Sequence, residues 1–187
     1  MFRFVPFVAE NESLINWSSF SGNRSSIYFL EKNPSKIDWG VLSMNPSPGA
    51  ISLLEKNQCK INWMCLSYNT GAIKLLEKNP NRLDWIILSS NNSCIPFLEK
   101  NPEKIDWGAL SLNTKAAHLL EQNQDKINWG FLSMNRSDGA ISLLERNQSK
   151  IDWHALSVNQ HPGAISLLER NYSKIDWCAL SRNSSPG

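Results

Sequence analysis

The sequence has no long apolar segment, little net charge of either sign and no closely spaced cysteine pair. None of its apolar runs approaches the ~20 residues that cross a bilayer, so a membrane protein is not expected. The net charge is only +2, whereas a dedicated polyanion binder usually has a strongly basic surface. Nucleic acid is therefore not expected as the main partner. With 41% hydrophobic residues among 187, the chain can instead form a buried core.

The cysteines and the first residues both bear on location. The sequence contains four cysteines, Cys59, Cys65, Cys94 and Cys178. They form no CxxC motif, which favours free thiols in a reducing compartment over a disulfide framework or a metal site. The first ten residues are similar to a short signal peptide, but Pro6 and Glu10 interrupt the apolar stretch. A cytoplasmic location is therefore expected.

The main feature of the sequence is a tandem repeat. Successive tryptophans are 22 or 24 residues apart, which indicates a 22-residue repeat with an optional two-residue insertion. The eight tryptophans are Trp17, Trp39, Trp63, Trp85, Trp107, Trp129, Trp153 and Trp177.

Two asparagines also recur in every repeat. The Asn57 column follows a Glu-Lys type pair and comprises Asn11, Asn33, Asn57, Asn79, Asn101, Asn123, Asn147 and Asn171. The Asn45 column lies six residues after each tryptophan and comprises Asn23, Asn45, Asn69, Asn91, Asn113, Asn135, Asn159 and Asn183.

Each repeat is predicted to contain two short helices. Helix B, as in residues 50–56, consists of strong helix formers and ends at Asn57, since asparagine tolerates the left-handed conformation there. Its candidate N-caps are Thr70, Asn92, Thr114 and Asp138. Helix A begins after an Asp or Asn cap such as Asp38, with tryptophan as its first residue. The residue directly before the cap and the residue four positions after it are apolar, as in Ile37 and Leu42. This is the spacing of a hydrophobic staple.

Helices of this length are not stable alone, so stacking of repeats must stabilise them. We therefore predict an all-α fold, an α-solenoid of eight short helix pairs forming a single repeat domain over residues 1–187. Its N-terminal repeat, about 1–22, is atypical, and the regular repeats cover about 23–187; Arg3 to Glu10 align with the first helix B. The alternative is a leucine-rich-repeat-like solenoid, because recurring Leu and Asn at this period also suit that fold.

The combined sequence of helix B and helix A in one repeat resembles that of a known family. The unit Leu-Leu-Glu-Lys-Asn-Pro-x-Lys-Ile-Asp-Trp-x-x-Leu-Ser-x-Asn, as in residues 75–91 and 98–113, covers nearly the whole chain in tandem. It resembles short helical repeat proteins encoded by giant (nucleocytoplasmic large) DNA viruses. The resemblance implies a viral setting, either the host-cell cytoplasm or the virion, and it implies no active site.

Aligned repeats separate constant positions from varied ones. The eight tryptophans are constant beside Ile and Leu, which favours a structural core over an exposed stacking platform. The positions one and five residues after each tryptophan vary, and they share one face of helix A because they are four residues apart. This face is the candidate partner-binding surface, unless it packs against the next repeat. Its candidate residues, with roles in contact and specificity, are Met44, Met64, Tyr68, Ile86, Leu112, Met134, His154 and Val158.

Charged residues and potential catalytic groups also align in columns. The basic column, Lys36, Lys60, Arg82, Lys104, Lys126, Lys150 and Lys174, is matched by an acidic column, Glu31, Glu55, Glu77, Glu99, Glu121, Glu145 and Glu169. Most repeats are therefore close to neutral, which favours a solvated face over a nucleic-acid ridge. Equivalent positions such as His154 and Cys178 would lie ~8–10 Å apart, too far for a catalytic pair. We expect no catalytic residue, no cofactor and no metal site.

Three functions remain open at this point. The first is a non-catalytic scaffold that binds a protein partner through the varied face of helix A. The second is a structural component of a viral particle or assembly, with self-association through the solenoid ends, where Phe2, Phe4, Val5 and Phe7 would pack against a neighbour. The third is weak nucleic-acid binding along the basic column.

Overall fold

The computed structural model describes residues 10–183, and these residues form an all-α repeat solenoid. No strand occurs in the described range, so the predicted fold class is confirmed and the leucine-rich-repeat-like alternative is wrong. The first helix B, predicted over Arg3 to Glu10, and the apolar segment Phe2 to Phe7 lie outside the described residues except for Glu10. Residue contacts divide the chain into two compact units, one ending at Asp84 and the other beginning at Trp85.

The first unit alternates helices A and B. Its A helices are Trp17–Gly22, Trp39–Met44 and Trp63–Ser67, and its B helices are Ile27–Lys32, Pro48–Lys56 and Ile73–Glu77. A three-residue 3-10 helix precedes the cap of each helix A, which the sequence analysis did not predict. These segments are Glu12–Leu14, Pro34–Lys36, Gln58–Lys60 and Pro80–Arg82.

The second unit repeats the same order. Its A helices are Trp85–Ser90, Trp107–Leu112, Trp129–Met134, Trp153–Ser157 and Trp177–Leu180. Its B helices are Ile95–Glu99, Ala117–Gln122, Asp138–Arg146 and Pro162–Arg170. The 3-10 helices before its A helices are Pro102–Lys104, Gln124–Lys126, Gln148–Lys150 and Tyr172–Lys174, and a further one, Asn92–Cys94, directly precedes the helix B Ile95–Glu99.

Helix A begins as the sequence predicts. The Asp38 carboxylate accepts a hydrogen bond from the Val41 N–H at 3.1 Å, and this satisfies one of the free amides of the first turn. The staple residues Ile37 and Leu42 are both buried. The same cap recurs with asparagine, because the Asn62 side chain accepts from the Cys65 N–H at 3.0 Å.

The two ends of helix B differ from the prediction. No described residue has a positive φ, and Asn57 has φ −127°. The left-handed C-cap is therefore wrong: the Asn57 side-chain amide instead donates to the Leu53 carbonyl at 2.8 Å and satisfies an end carbonyl directly. The predicted N-caps are wrong as well. The residue before the helix is Ala72, Cys94, Ala116 or Ser137 where Thr70, Asn92, Thr114 or Asp138 was expected.

Serines join each helix A to the following repeat. The Ser111 hydroxyl donates to the Trp107 carbonyl at 2.7 Å and accepts from the Asn128 N–H at 3.1 Å. It therefore links the end of one helix A to the start of the next. In the first unit the equivalent serines, accepting from the next cap N–H, are Ser21, Ser43 and Ser67.

The Asn45 column makes the second link between repeats. The Asn135 side-chain amide donates to the Ser111 carbonyl at 2.9 Å and the Asn113 carbonyl at 3.2 Å, both in the preceding repeat. Its side-chain oxygen accepts from the Ser137 N–H at 3.0 Å. In the first unit Asn69 makes the same bonds to the carbonyls of Ser43 and Asn45. Buried amides thus satisfy the carbonyls that the short A helices leave open.

Leucines form the fully buried core, and the tryptophans border it. Leu42, Leu66, Leu110 and Leu132 on helix A are all 0% exposed. By contrast, Trp17 to Trp153 are partly exposed, and Trp177 is 52% exposed. The tryptophans that we expected to form the structural core are therefore at its edge. Their faces still pack against helix B where an aromatic residue is available: the rings of Trp17 and Phe29 are stacked with centroids 5.8 Å apart.

Candidate partner-binding face

The varied positions of helix A carry exposed apolar side chains in both units. Six of the eight candidate residues are between 41% and 62% exposed: Met44, Met64, Tyr68, Ile86, Leu112 and Met134. His154 is also exposed, and Val158 is half-buried. The structure thus places the predicted residues on a solvent-facing surface of their helices. Constant serines and asparagines, which lie outside these varied positions, make recurrent hydrogen bonds between repeats.

Local fit explains two of the varied positions. The Ser18 hydroxyl donates to Asp38 Oδ2 at 2.8 Å, and His154 Nδ1 lies 2.6 Å from Asp176 Oδ2. Both residues directly follow the tryptophan, and both contact the cap carboxylate of the next helix A. Hydrogen bonds from Val41 and Ser18 hold the pKa of Asp38 below its usual value, and those from Ala179 and His154 do the same for Asp176.

Phe131 belongs to this face, although the sequence analysis did not include it. Its side chain is 42% exposed, and Cε2 lies 3.6 Å from where a Cβ on Gly108 would be. The ring therefore reaches back over a glycine of the preceding helix A. One signal in the sequence could have identified Phe131: its side chain is the largest at this position of the repeat. The equivalent positions hold Ser19, Val41, Cys65, Ile87, Ala109, Ala155 and Ala179.

The acidic column pairs with cations of helix B. Glu121 and Arg146 form an ion pair at 2.5 Å, and Glu145 and Arg170 form one at 2.7 Å. In the first unit Glu55 pairs with Lys78 at 3.7 Å. The partners of these glutamates are therefore helix B cations one repeat further on, and not the cations of the basic column.

The basic column contacts the tryptophans. Lys126 Nζ lies 4.7 Å from the centroid of the Trp107 ring, and the Arg82 guanidinium lies 5.3 Å from that of Trp63. Each cation comes from the repeat after its tryptophan, so this cation–π contact joins neighbouring repeats. These cations lie over the tryptophan rings, and a cation held in such a contact is less available to bind a phosphate.

A shallow groove opens on the helix B side of the second unit. Its volume is about 350 Å³, and its lining includes Glu99, Trp107, His118 and Lys126. His118 Nε2 lies 2.8 Å from Glu99 Oε1, and Lys126 lies over Trp107. Because these polar groups already contact one another, the groove is a poorer candidate site than the helix A face.

Within the described residues, the thiols and histidines form no metal-binding cluster. Within residues 10–183, no three His, Cys, Asp or Glu side chains are placed to hold a metal ion. Cys94 is buried, and burial raises the pKa of its thiol to about 12, so it stays protonated at neutral pH. His154 Nδ1 contacts the cap carboxylate of Asp176.

Residues 10–183 contain no helix with both the length and the apolar character needed to cross a bilayer. No family model, curated protein or solved structure matches the chain.

Proposed function

We propose that this chain is a non-catalytic repeat scaffold that binds a protein partner through the varied face of helix A. The observation that supports the proposal is the exposure of large apolar side chains at the varied positions in both units. Contiguous exposed apolar surface is a common mark of protein-binding sites. Methionine and tyrosine are well suited to this role, because a thioether adapts its shape and a phenol adds a polar contact.

The positions that hold the same residue in every repeat also support the scaffold proposal. Constant residues, the serines and the Asn45 column, hold the repeats together without using the varied face. Substitution at a varied position can therefore change the surface chemistry without breaking the stack. A surface of this kind can acquire specificity for one partner from residues that differ between repeats.

Site-specific photocrosslinking tests the proposal, and the chain provides a matched control. Tyr68, directly after the helix A Trp63–Ser67, is 54% exposed, and Tyr28 on the helix B Ile27–Lys32 of the same unit is 56% exposed. Benzoylphenylalanine would replace each tyrosine in separate variants, which would be irradiated in a lysate of the cells that make the chain. We expect a discrete protein to be crosslinked at position 68 and not at position 28.

Nuclease and salt arms separate the proposal from the nucleic-acid alternative. Crosslinking at position 68 should persist after nuclease treatment and at raised salt, because apolar contacts are little screened. Equal crosslinking at both positions, or loss of the crosslinked species with nuclease, would contradict the proposal. Tyr68→Ala should also weaken capture of that protein, whereas Tyr28→Ala should leave capture unchanged.

A further inference from the structure

Three methionines lie on the helix A face, and none lies in the buried core of residues 10–183. The side chains of Met44, Met64 and Met134 are 51%, 59% and 49% exposed. The sequence has one further methionine, Met1, which lies outside the described residues. Buried apolar positions are held mainly by leucine, isoleucine and alanine. In this part of the chain, a reagent that modifies thioethers would therefore act only on the candidate partner-binding surface.

Two of these methionines lie near Tyr68 in the first unit. Met64 precedes Tyr68 by four residues, and both have helical backbone, so their side chains share a face. Met44 lies between two residues whose carbonyls accept from the Asn69 side-chain amide at 2.9 and 3.0 Å. Because Asn69 directly follows Tyr68, the chain at Met44 runs beside Tyr68. The two thioethers and the phenol thus belong to one exposed surface.

Hydrogen peroxide oxidises a methionine sulfur to a sulfoxide, and methionine sulfoxide reductases reverse the reaction. A sulfur lone pair attacks one peroxide oxygen, so that an S–O bond forms and the O–O bond breaks. The sulfur is oxidised by two electrons, and the departing hydroxide takes the proton of the transferred oxygen and leaves as water. A flexible apolar side chain thereby becomes a polar one with a hydrogen-bond acceptor.

The stack accepts polar residues at the positions of these methionines. The position of Met44 holds Ser90 in another repeat, and the position of Met64 holds Ser18. The recurrent hydrogen bonds between repeats come from constant serines and asparagines, which are not altered by oxidation of a thioether. Sulfoxides at these positions should therefore change the surface without unfolding the stack.

We propose that Met44 and Met64 are sites of reversible oxidation that regulates partner binding at the helix A face of the first unit. The reduced thioethers contact the partner. The sulfoxides weaken the contact, because a polar oxygen must lose its water without gaining a donor. This inference rests on the proposed scaffold function and adds its regulation by peroxide-class oxidants.

The test uses the full chain with benzoylphenylalanine at position 68. The chain is treated with hydrogen peroxide, freed of the oxidant and irradiated in the lysate, and peptide mass spectrometry measures sulfoxide at each methionine. We expect crosslinking to fall about tenfold and to recover after treatment with methionine sulfoxide reductases A and B, which reduce the two sulfoxide epimers. Circular dichroism and thermal unfolding of the oxidised chain should be unchanged.

Thiols require a control of their own, because peroxide also oxidises cysteine. Cys59 and Cys178 are exposed. Dithiothreitol reduces sulfenic acids and disulfides but leaves sulfoxides, so crosslinking should stay low after dithiothreitol alone. The variant Met44→Leu/Met64→Leu lacks both thioethers and keeps Met134 oxidisable. In that variant the ratio of crosslinking after peroxide to crosslinking before it should stay near one.

The outcomes distinguish a failure of this inference from a failure of the scaffold proposal. Unchanged crosslinking despite sulfoxide at both methionines, recovery with dithiothreitol alone, or equal sensitivity of the leucine variant would overturn the inference and leave the scaffold proposal standing. Loss of helical signal on oxidation would also overturn it, because binding would then be lost with the fold. Absence of any crosslinked protein before peroxide treatment would contradict both.

Discussion

Asn135 and Asn147 lie in the same unit, and each belongs to a column that recurs in every repeat. Asn135 is 3% exposed, and its amide donates to the carbonyls of Ser111 and Asn113 in the preceding repeat. Asn147 is half-buried and donates to the carbonyl of Leu143, four residues earlier in its own helix B. One asparagine therefore joins two repeats, and the other terminates a single helix.

Two asparagines that recur equally often in the sequence can therefore contribute very differently to the free energy of unfolding. A buried amide that satisfies two carbonyls of another repeat leaves several polar groups unpaired when it is removed. A local cap loses one hydrogen bond at a site that water can reach. Stability of the stack should therefore depend mainly on the Asn45 column and much less on the Asn57 column.

The largest expected effect is at Asn135. Asn135→Ala should lower the free energy of unfolding by about 3–4 kcal/mol, because the buried Ser111 carbonyl loses its donor and the Ser137 N–H loses its acceptor, whereas the Asn113 carbonyl keeps the Ala116 N–H. Asn147→Ala, the matched control in the other column, should lower it by about 1 kcal/mol. Urea unfolding of both variants checks the pair. Equal losses would remove the distinction between the columns.

An intermediate effect is expected at Ser111. Ser111→Ala removes the hydroxyl that links the Trp107 carbonyl to the Asn128 N–H, and it should cost about 1–2 kcal/mol. Ser149→Ala, at an exposed position in a 3-10 helix, should change stability by less than about 0.5 kcal/mol. In a double-mutant cycle with Asn135→Ala, the losses should be non-additive because the two residues share one network. Additive losses would mean that the serine and asparagine links act independently.

The smallest effect concerns charge at the caps. The pKa of Asp38 in the folded chain lies below its ordinary value of 3.8, first because of the Val41 N–H and then the Ser18 hydroxyl. A lowered carboxyl pKa contributes stability that is present above the unfolded pKa and is lost as pH falls through the folded pKa. Asp38→Asn should therefore flatten the loss of stability below about pH 4. Thermal unfolding across that range checks the slope, and an unchanged slope would contradict the assignment.

The sequence predicted much of the fold because its signals are local and repeated. The Asp or Asn before each tryptophan caps helix A as expected, and the staple residues Ile37 and Leu42 are buried. The 3-10 helices were not predicted, since three residues such as Pro34–Lys36 give no periodic pattern. The end of helix B was misinterpreted because asparagine can terminate a helix either by its backbone conformation or by its side-chain amide.

The candidate face was predicted because its residues vary between repeats. The sequence did not predict whether that face is exposed to solvent. Sequence columns showed that Met44 and Tyr68 vary, but a varied face could equally have packed against the next repeat. The roles of Phe131 and of the cap carboxylates depend on which side chain of one repeat reaches the next. That is a property of stacking geometry, which spacing within one repeat does not contain.

The most direct test of the account is hydrogen exchange of the side-chain amides, measured by nuclear magnetic resonance on the unmodified chain. We expect the Asn135 amide protons to exchange only through the opening that unfolds the stack, and the Asn147 amide protons to exchange much faster through local fraying of helix B. Equal exchange rates at the two asparagines would contradict the claim that the Asn45 column holds the repeats together and leaves the helix A face free for a partner.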